Sequence, residues 1–149
     1  MKLLFAPFAR KLRNGNRSPK DYPPEFSRKL VELLQKQGNE VVQIGVKGEE
    51  QIAPKFETDL SLEEVTNLLK ISDTFIAVDS FLQHHAWDIG KRGTVIFSQS
   101  DPNIFGHEFH NNLLKDRKYL RPNQFDLWES TPCNDEAFFD WNEVVERMK

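Results

Sequence analysis

Asp79-Ser80 directly follows an apolar run, Thr74–Val78 (TFIAV), and directly precedes a segment of helical character. Backbone N–H groups at a helix start point outward, and the helix dipole there favours an anion. Ser80 adds a hydroxyl donor, so a phosphate or diphosphate suits this turn. Asp and Ser are also ordinary helix caps, and at this point both readings stand. His84 lies four residues after Ser80 and shares its helix face. Its imidazole can hydrogen-bond a phosphate or a sugar hydroxyl, or it forms with His85 a packed or solvated pair. Ser98-Gln99-Ser100-Asp101-Pro102 is a polar loop after a further strand, placed for ligand contact but also rich in turn formers. Lys20, just before the first helix, can reach an anion held between strand ends, or stand as a surface lysine.

Other chemistries are poorly supported. His107-Glu108-Phe109-His110 is not the His-Glu-x-x-His zinc pattern and reads as loop. The chain has no Gly-rich dinucleotide fingerprint, no Walker motif and no Gly-x-Ser-x-Gly. Cys133 is the single cysteine, which excludes an internal disulfide and cysteine-cluster metal sites. Its acidic, Asn-rich setting does not favour a thiolate. No metal and no cofactor is expected.

The elements that must position these residues alternate. Lys2–Pro7 reads as a strand and residues 8–22 as a basic loop. A helix spans 24–37, with Pro24 in its first turn and Gly38 as its stop. Glu40–Val46 is a second strand, ending near Gly45, and 48–59 a polar connection. Ser61-Leu62-Glu63-Glu64 is a capping box, opening a helix over 62–71 that buries Leu62, Val65, Leu68 and Leu69. Thr74–Val78 has the continuous apolar character of a strand covered on both faces. A helix over 81–89 ends at Gly90, and Thr94–Phe97 is a further strand. The last third predicts a short helix at 110–114, a short strand within 119–126, and a final helix capped by Asn134 or Asp135. This order predicts a single three-layer α/β domain with a mostly parallel sheet, whose ligands bind at the carboxyl ends of the strands.

The chain has 149 residues, 38% hydrophobic and 29% charged, enough for one domain with a real core. No window suggests a membrane span, and the start is a poor signal peptide, so a cytoplasmic protein is expected. Residues 1–30 carry eight Lys/Arg against Asp21 and Glu25, a local +6, which leaves −9 on the rest of a chain of net charge −3. A basic loop on an acidic body fits a small anionic ligand, or is simply a solvated loop; nucleic acid is not indicated.

The stretch from Ile71 to His84, a strand followed by Asp79-Ser80 and His84, resembles a motif of the heptosyltransferase-like glycosyltransferases. These are family nine, of GT-B architecture, and the likeness is to their C-terminal, nucleotide-sugar-binding half. Ala86 through Gly90-Lys91 is similar to that family's alanine-rich helix ending in Gly-Lys-Pro. Ser100-Asp101-Pro102 is similar to its Thr-Asp-Pro loop, and Lys20-Asp21-Tyr22-Pro23 to its Lys-x-Trp-Pro. The resemblance spans most of the chain. It implies a Rossmann-like half of a GT-B enzyme, an NDP-sugar of the ADP-heptose kind as ligand, and Lys20, Asp79, Ser80 and His84 as contacts. By position it adds Glu49 or Glu50 on the ribose, beside the loop residues Ser100 and Asp101.

Three departures stand out. Phe81 replaces a family glycine, Arg92 replaces the proline, and the N-terminal acceptor-binding half, which supplies the base, is not expected within these residues. A homo-oligomer or a partner chain would then complete the site, with some of Trp87, Phe105, Phe109, Phe125 and Trp128 lining an interface; alternatively these aromatics fill the last third of a monomer. Two other functions fit the sequence. One is a non-catalytic nucleotide-binding or sequestering protein. The other is a nucleoside deoxyribosyltransferase-like enzyme, with Asp79 or Asp88 as its nucleophilic carboxylate.

Overall fold

A computed structural model describes residues 1–149. Six strands form one sheet: β1 (Lys2–Ala6), β2 (Glu40–Gly45), β3 (Lys55–Thr58), β4 (Thr74–Val78), β5 (Thr94–Phe97) and β6 (Asn111–Leu114). Every pairing is parallel, and the spatial order is β3-β2-β1-β4-β5-β6. The winding direction reverses between β1 and β4, where open α/β sheets leave a crevice at their carboxyl edge. This is the expected Rossmann-like α/β domain with a parallel sheet.

Helices α1 (Pro24–Lys36) and α5 (Trp141–Met148) cover one face; α2 (Leu62–Ile71) and α3 (Phe81–Asp88) cover the other. Strand alternation supplies both cores. Leu3, Phe5, Val41, Ile76, Val78 and Ile96 point toward α1 and α5, and Leu4, Val42, Phe75, Ala77, Val95 and Phe97 toward α2 and α3. The Ser61–Glu64 capping box forms with both reciprocal bonds at 3.1 Å. No helix is long and apolar enough to cross a membrane.

Several elements differ from expectation. The polar connection after β2 contains β3, an edge strand whose Lys55 and Glu57 stay exposed. The short helix expected at 110–114 is instead β6. The strand expected within 119–126 is irregular chain after a 3₁₀ turn at Arg117–Tyr119. Asn134 caps only a 3₁₀ turn, Asp135–Ala137, and the final helix starts later, with Asp140 accepting the Glu143 N–H at 2.9 Å. Leu62 is exposed rather than buried, because α2 turns Val65 and Leu69 to the sheet. A four-residue helix, α4 (Pro102–Phe105), follows β5.

Candidate functional site

A cavity of about 460 Å³ lies between α1, α5 and the 3₁₀ turn at Asp135, away from the motif residues. A larger one, about 670 Å³, opens at the carboxyl ends of β2, β1 and β4. Its walls come from Ala6 and the loop leaving β1, the turn after β2, the Asp59-Leu60 entry to α2, and the first residues of α3. It brings together three residues singled out above: Lys20, Glu49 and Ser80.

Ser80 stands at the N-cap of α3 in extended backbone, yet no side chain caps the helix. Its hydroxyl donates to the Val78 carbonyl at 3.2 Å. The outward N–H groups of the first turn therefore remain available beside a cavity lined by Ser80, Phe81 and Leu82. Arg10, Lys11 and Lys20 line the same space, so the local field favours an anion.

Glu49 folds back over the end of β2, and its Oε1 accepts the Val46 N–H at 2.7 Å. Burial raises its carboxyl pKa, against the opposing effect of that bond. Gly45 makes this fold possible, since a Cβ there would collide with the Glu49 carboxylate. Asp59 lines the cavity at φ 54°, a left-handed conformation, and accepts the Lys47 N–H at 3.2 Å.

The remaining expected site residues are engaged elsewhere and do not line this cavity. Asp79 is buried, and its Oδ1 accepts the Gln83 side-chain amide at 2.7 Å. His84 Nδ1 lies 2.8 Å from His107 Nε2, and the His107 ring stacks on Trp87 at 4.5 Å. Burial and the neighbouring His84 hold the His107 pKa below its usual value. Ser100 is buried. Asp101 caps α4 and forms a two-point ion pair with Arg117, at 2.8 and 3.1 Å, which lowers its pKa. His110 is a core residue: its Nε2 lies 2.8 Å from the Gln83 carbonyl and its ring meets Phe75 edge-on.

Two residues that do not line the cavity but contact residues that do were not singled out as site residues from the sequence. Asp21 is buried, accepts the Ala9 N–H at 2.7 Å, and has its pKa pushed up to about 7 by burial. Its place beside Lys20 was the available signal. Trp128 comes within 5.6 Å of the Lys20 ammonium from 108 residues away in sequence, and no local pattern announces that. Among the other aromatics, Phe125, Trp87 and Phe109 are exposed.

The chain belongs to glycosyltransferase family 9 (heptosyltransferase), whose family model matches residues 1–120. No curated protein matches the sequence. Solved structures show the same fold. A family 9 glycosyl transferase from Veillonella parvula superposes with a TM-score of 0.71 at 13% identity, covering 97% of this chain and 44% of its own. The dodecameric iron-containing heptosyltransferase TibC, solved with ADP-D-β-D-heptose, gives 0.67 at 17% identity, covering 99% of this chain and 45% of its own. The E. coli heptosyltransferase WaaC, solved with ADP, gives 0.62 at 18% identity, covering 99% and 44%. The chain spans less than half the length of these neighbours.

Proposed function

We propose that this chain forms the donor half of a sugar transferase and holds an NDP-sugar in the 670 Å³ cavity. The observation that carries this is the convergence of Lys20, Glu49 and the uncapped start of α3 on one cavity at the sheet's switch point. The start of α3 and the Ser80 hydroxyl receive the diphosphate, Lys20 neutralises it, and the Glu49 carboxylate faces the ribose hydroxyls. The ligands in the TibC and WaaC structures support adenosine diphosphate as the nucleotide part.

In transfer, the bond from the anomeric carbon to the diphosphate oxygen breaks as an acceptor hydroxyl attacks that carbon. The diphosphate leaves with the electron pair, and Lys20 and the helix start stabilise the charge developing on it. The acceptor's proton goes to a base on an acceptor-binding half, which closes over the cavity and excludes water. A second copy of this chain is one source of that closure. Base-exchange chemistry on nucleosides is not favoured, because Asp79 is held by Gln83 and Asp88 lies at the far end of α3.

Calorimetric titration with ADP, ADP-sugars, UDP-sugars and AMP tests the reading. Diphosphates should bind more tightly than AMP, and Lys20→Met should weaken ADP binding about tenfold, the loss of one contact between charged groups. Absence of ADP binding, or equal affinity in Lys20→Met, would overturn it. Sugar transfer assayed with and without added acceptor half separates a transferase from a protein that only binds. Light scattering at micromolar concentration, with and without ADP-sugar, tests self-association.

A further inference from the structure

Residues 117–132 form a strap that runs from the carboxyl end of β5 to the basic loop after β1 and carries Trp128. The strap is fastened to the end of β5 by several independent bonds. Arg117 grips Asp101, and the Arg121 N–H and the Gln124 side-chain amide both donate to the Gln99 carbonyl, at 3.1 and 2.9 Å. Gln124 Oε1 accepts the Asp101 N–H at 2.8 Å, and the Gln99 amide donates to the Pro132 carbonyl at 2.9 Å. On its other side the strap meets the basic loop, where the Arg13 N–H donates to Glu129 Oε1 at 3.1 Å. Within it, the Arg121 guanidinium lies 3.5 Å from the Trp128 ring centroid and donates to the Gln124 carbonyl at 2.9 Å. The indole is thus fixed by a buried, bonded cation on a clamped segment.

Lys20 reaches the same indole from the loop between β1 and α1. Its ammonium is 5.6 Å from the ring centroid, the residue lines the cavity, and no carboxylate forms an ion pair with it. A free lysine samples many rotamers, and ordering it on binding opposes affinity. A fixed aromatic face attracts the ammonium and removes rotamers that lead away from the cavity. We propose that Trp128 is a positioning residue for Lys20, holding its ammonium at the cavity so that a bound diphosphate meets it already placed. The proposal rests on the donor-site reading above.

ADP affinity measured in wild type, Trp128→Phe, Trp128→Leu, Lys20→Met and the Trp128→Leu/Lys20→Met double variant tests it, with unfolding midpoints confirming that each is folded. Trp128→Leu should raise the Kd three- to tenfold, and Trp128→Phe should stay within twofold of wild type. In the Lys20→Met background, Trp128→Leu should change the Kd less than twofold, because the residue acts through Lys20. An equal loss in both backgrounds, or a silent Trp128→Leu in a wild type that binds ADP, would overturn this proposal alone. A wild type that fails to bind ADP overturns the donor-site reading and this proposal with it. A second measurement does not depend on how Trp128→Leu folds. In a Trp87→Phe/Trp141→Phe background, Lys20→Met should shift Trp128 emission in the ligand-free protein, because the ammonium no longer lies over the ring. Unchanged emission in Lys20→Met counts against the contact and the proposal.

Discussion

The Asp21 carboxylate accepts the Ala9 backbone N–H at 2.7 Å, tying the residue beside Lys20 to the loop that leaves β1. Burial is the main reason its pKa rises to about 7, and the nearby Glu49 charge adds to it; the Ala9 N–H and Arg17 oppose it. A carboxyl whose folded pKa exceeds its unfolded value near 3.9 binds its proton more tightly when folded. Its contribution is complete below that unfolded value and is lost as the pH rises through about 7. Stability should therefore fall by about 2 kcal/mol from this group between pH 5.5 and 8. Burial holds the His107 and His110 pKa values down, which acts in the opposite direction below pH 6.5. The comparison with Asp21→Asn cancels those histidines. Urea unfolding at the two pH values should show the variant gaining on wild type as the pH rises. A parallel pH dependence in both proteins would refute the assignment.

Ser80 offers a substitution whose two effects run in opposite directions. No side chain caps α3, so Ser80→Asp places a carboxylate where a cap and the helix dipole both favour it. A gain of about 0.5–1 kcal/mol in stability is expected. The same carboxylate competes with a diphosphate for the first-turn N–H groups, so ADP affinity should fall at least tenfold. Thermal unfolding and ADP titration on one preparation read both. Stabilisation with unchanged ADP affinity would mean that the turn is a helix start and nothing more.

The covered strands and capped helices were legible in the sequence because each is specified locally. TFIAV is apolar throughout, Ser61 and Glu64 sit at capping-box spacing, and Gly38 and Gly90 take the positive φ that ends α1 and α3. The edge strands were not legible. Lys55–Thr58 alternates charged with half-buried residues, and Asn111–Leu114 buries only Leu113, so pairing with β2 and β5 supplies what local sequence does not. The site divides in the same way. Lys20, Glu49 and Ser80 each follow a strand or precede a helix, and the topology brings such positions together. Asp101 instead spends its carboxylate on Arg117, and the strap it anchors carries Trp128 to Lys20 across a long sequence separation.

Asp79 should behave as a structural residue. Gln83 is fully buried, and its Nε2 donates to Asp79. Asp79→Ala strands that amide and should cost about 2 kcal/mol of stability. The folded protein should keep ADP affinity within twofold, because Asp79 does not line the cavity. Chemical denaturation and calorimetry below the unfolding transition distinguish these effects. A large loss of ADP affinity in a fully folded Asp79→Ala protein would instead make the carboxylate a ligand contact.

Gly45→Ala tests the role given to Glu49 without touching Glu49 itself. A Cβ at Gly45 would occupy the place of the Glu49 carboxylate. The carboxylate must swing away and release the Val46 N–H, which costs about 1 kcal/mol of stability for one lost bond. In the proposed donor site a displaced Glu49 would no longer face the ribose, whereas Lys20 and the start of α3 would still face the diphosphate. ADP affinity should therefore fall several-fold while inorganic pyrophosphate affinity stays unchanged, and Glu49→Gln should show the same contrast more weakly. Competitive titration with both ligands reads it directly. If Gly45→Ala weakens ADP and pyrophosphate equally, the substitution has distorted the whole cavity, and Glu49 carries no ribose-specific contact.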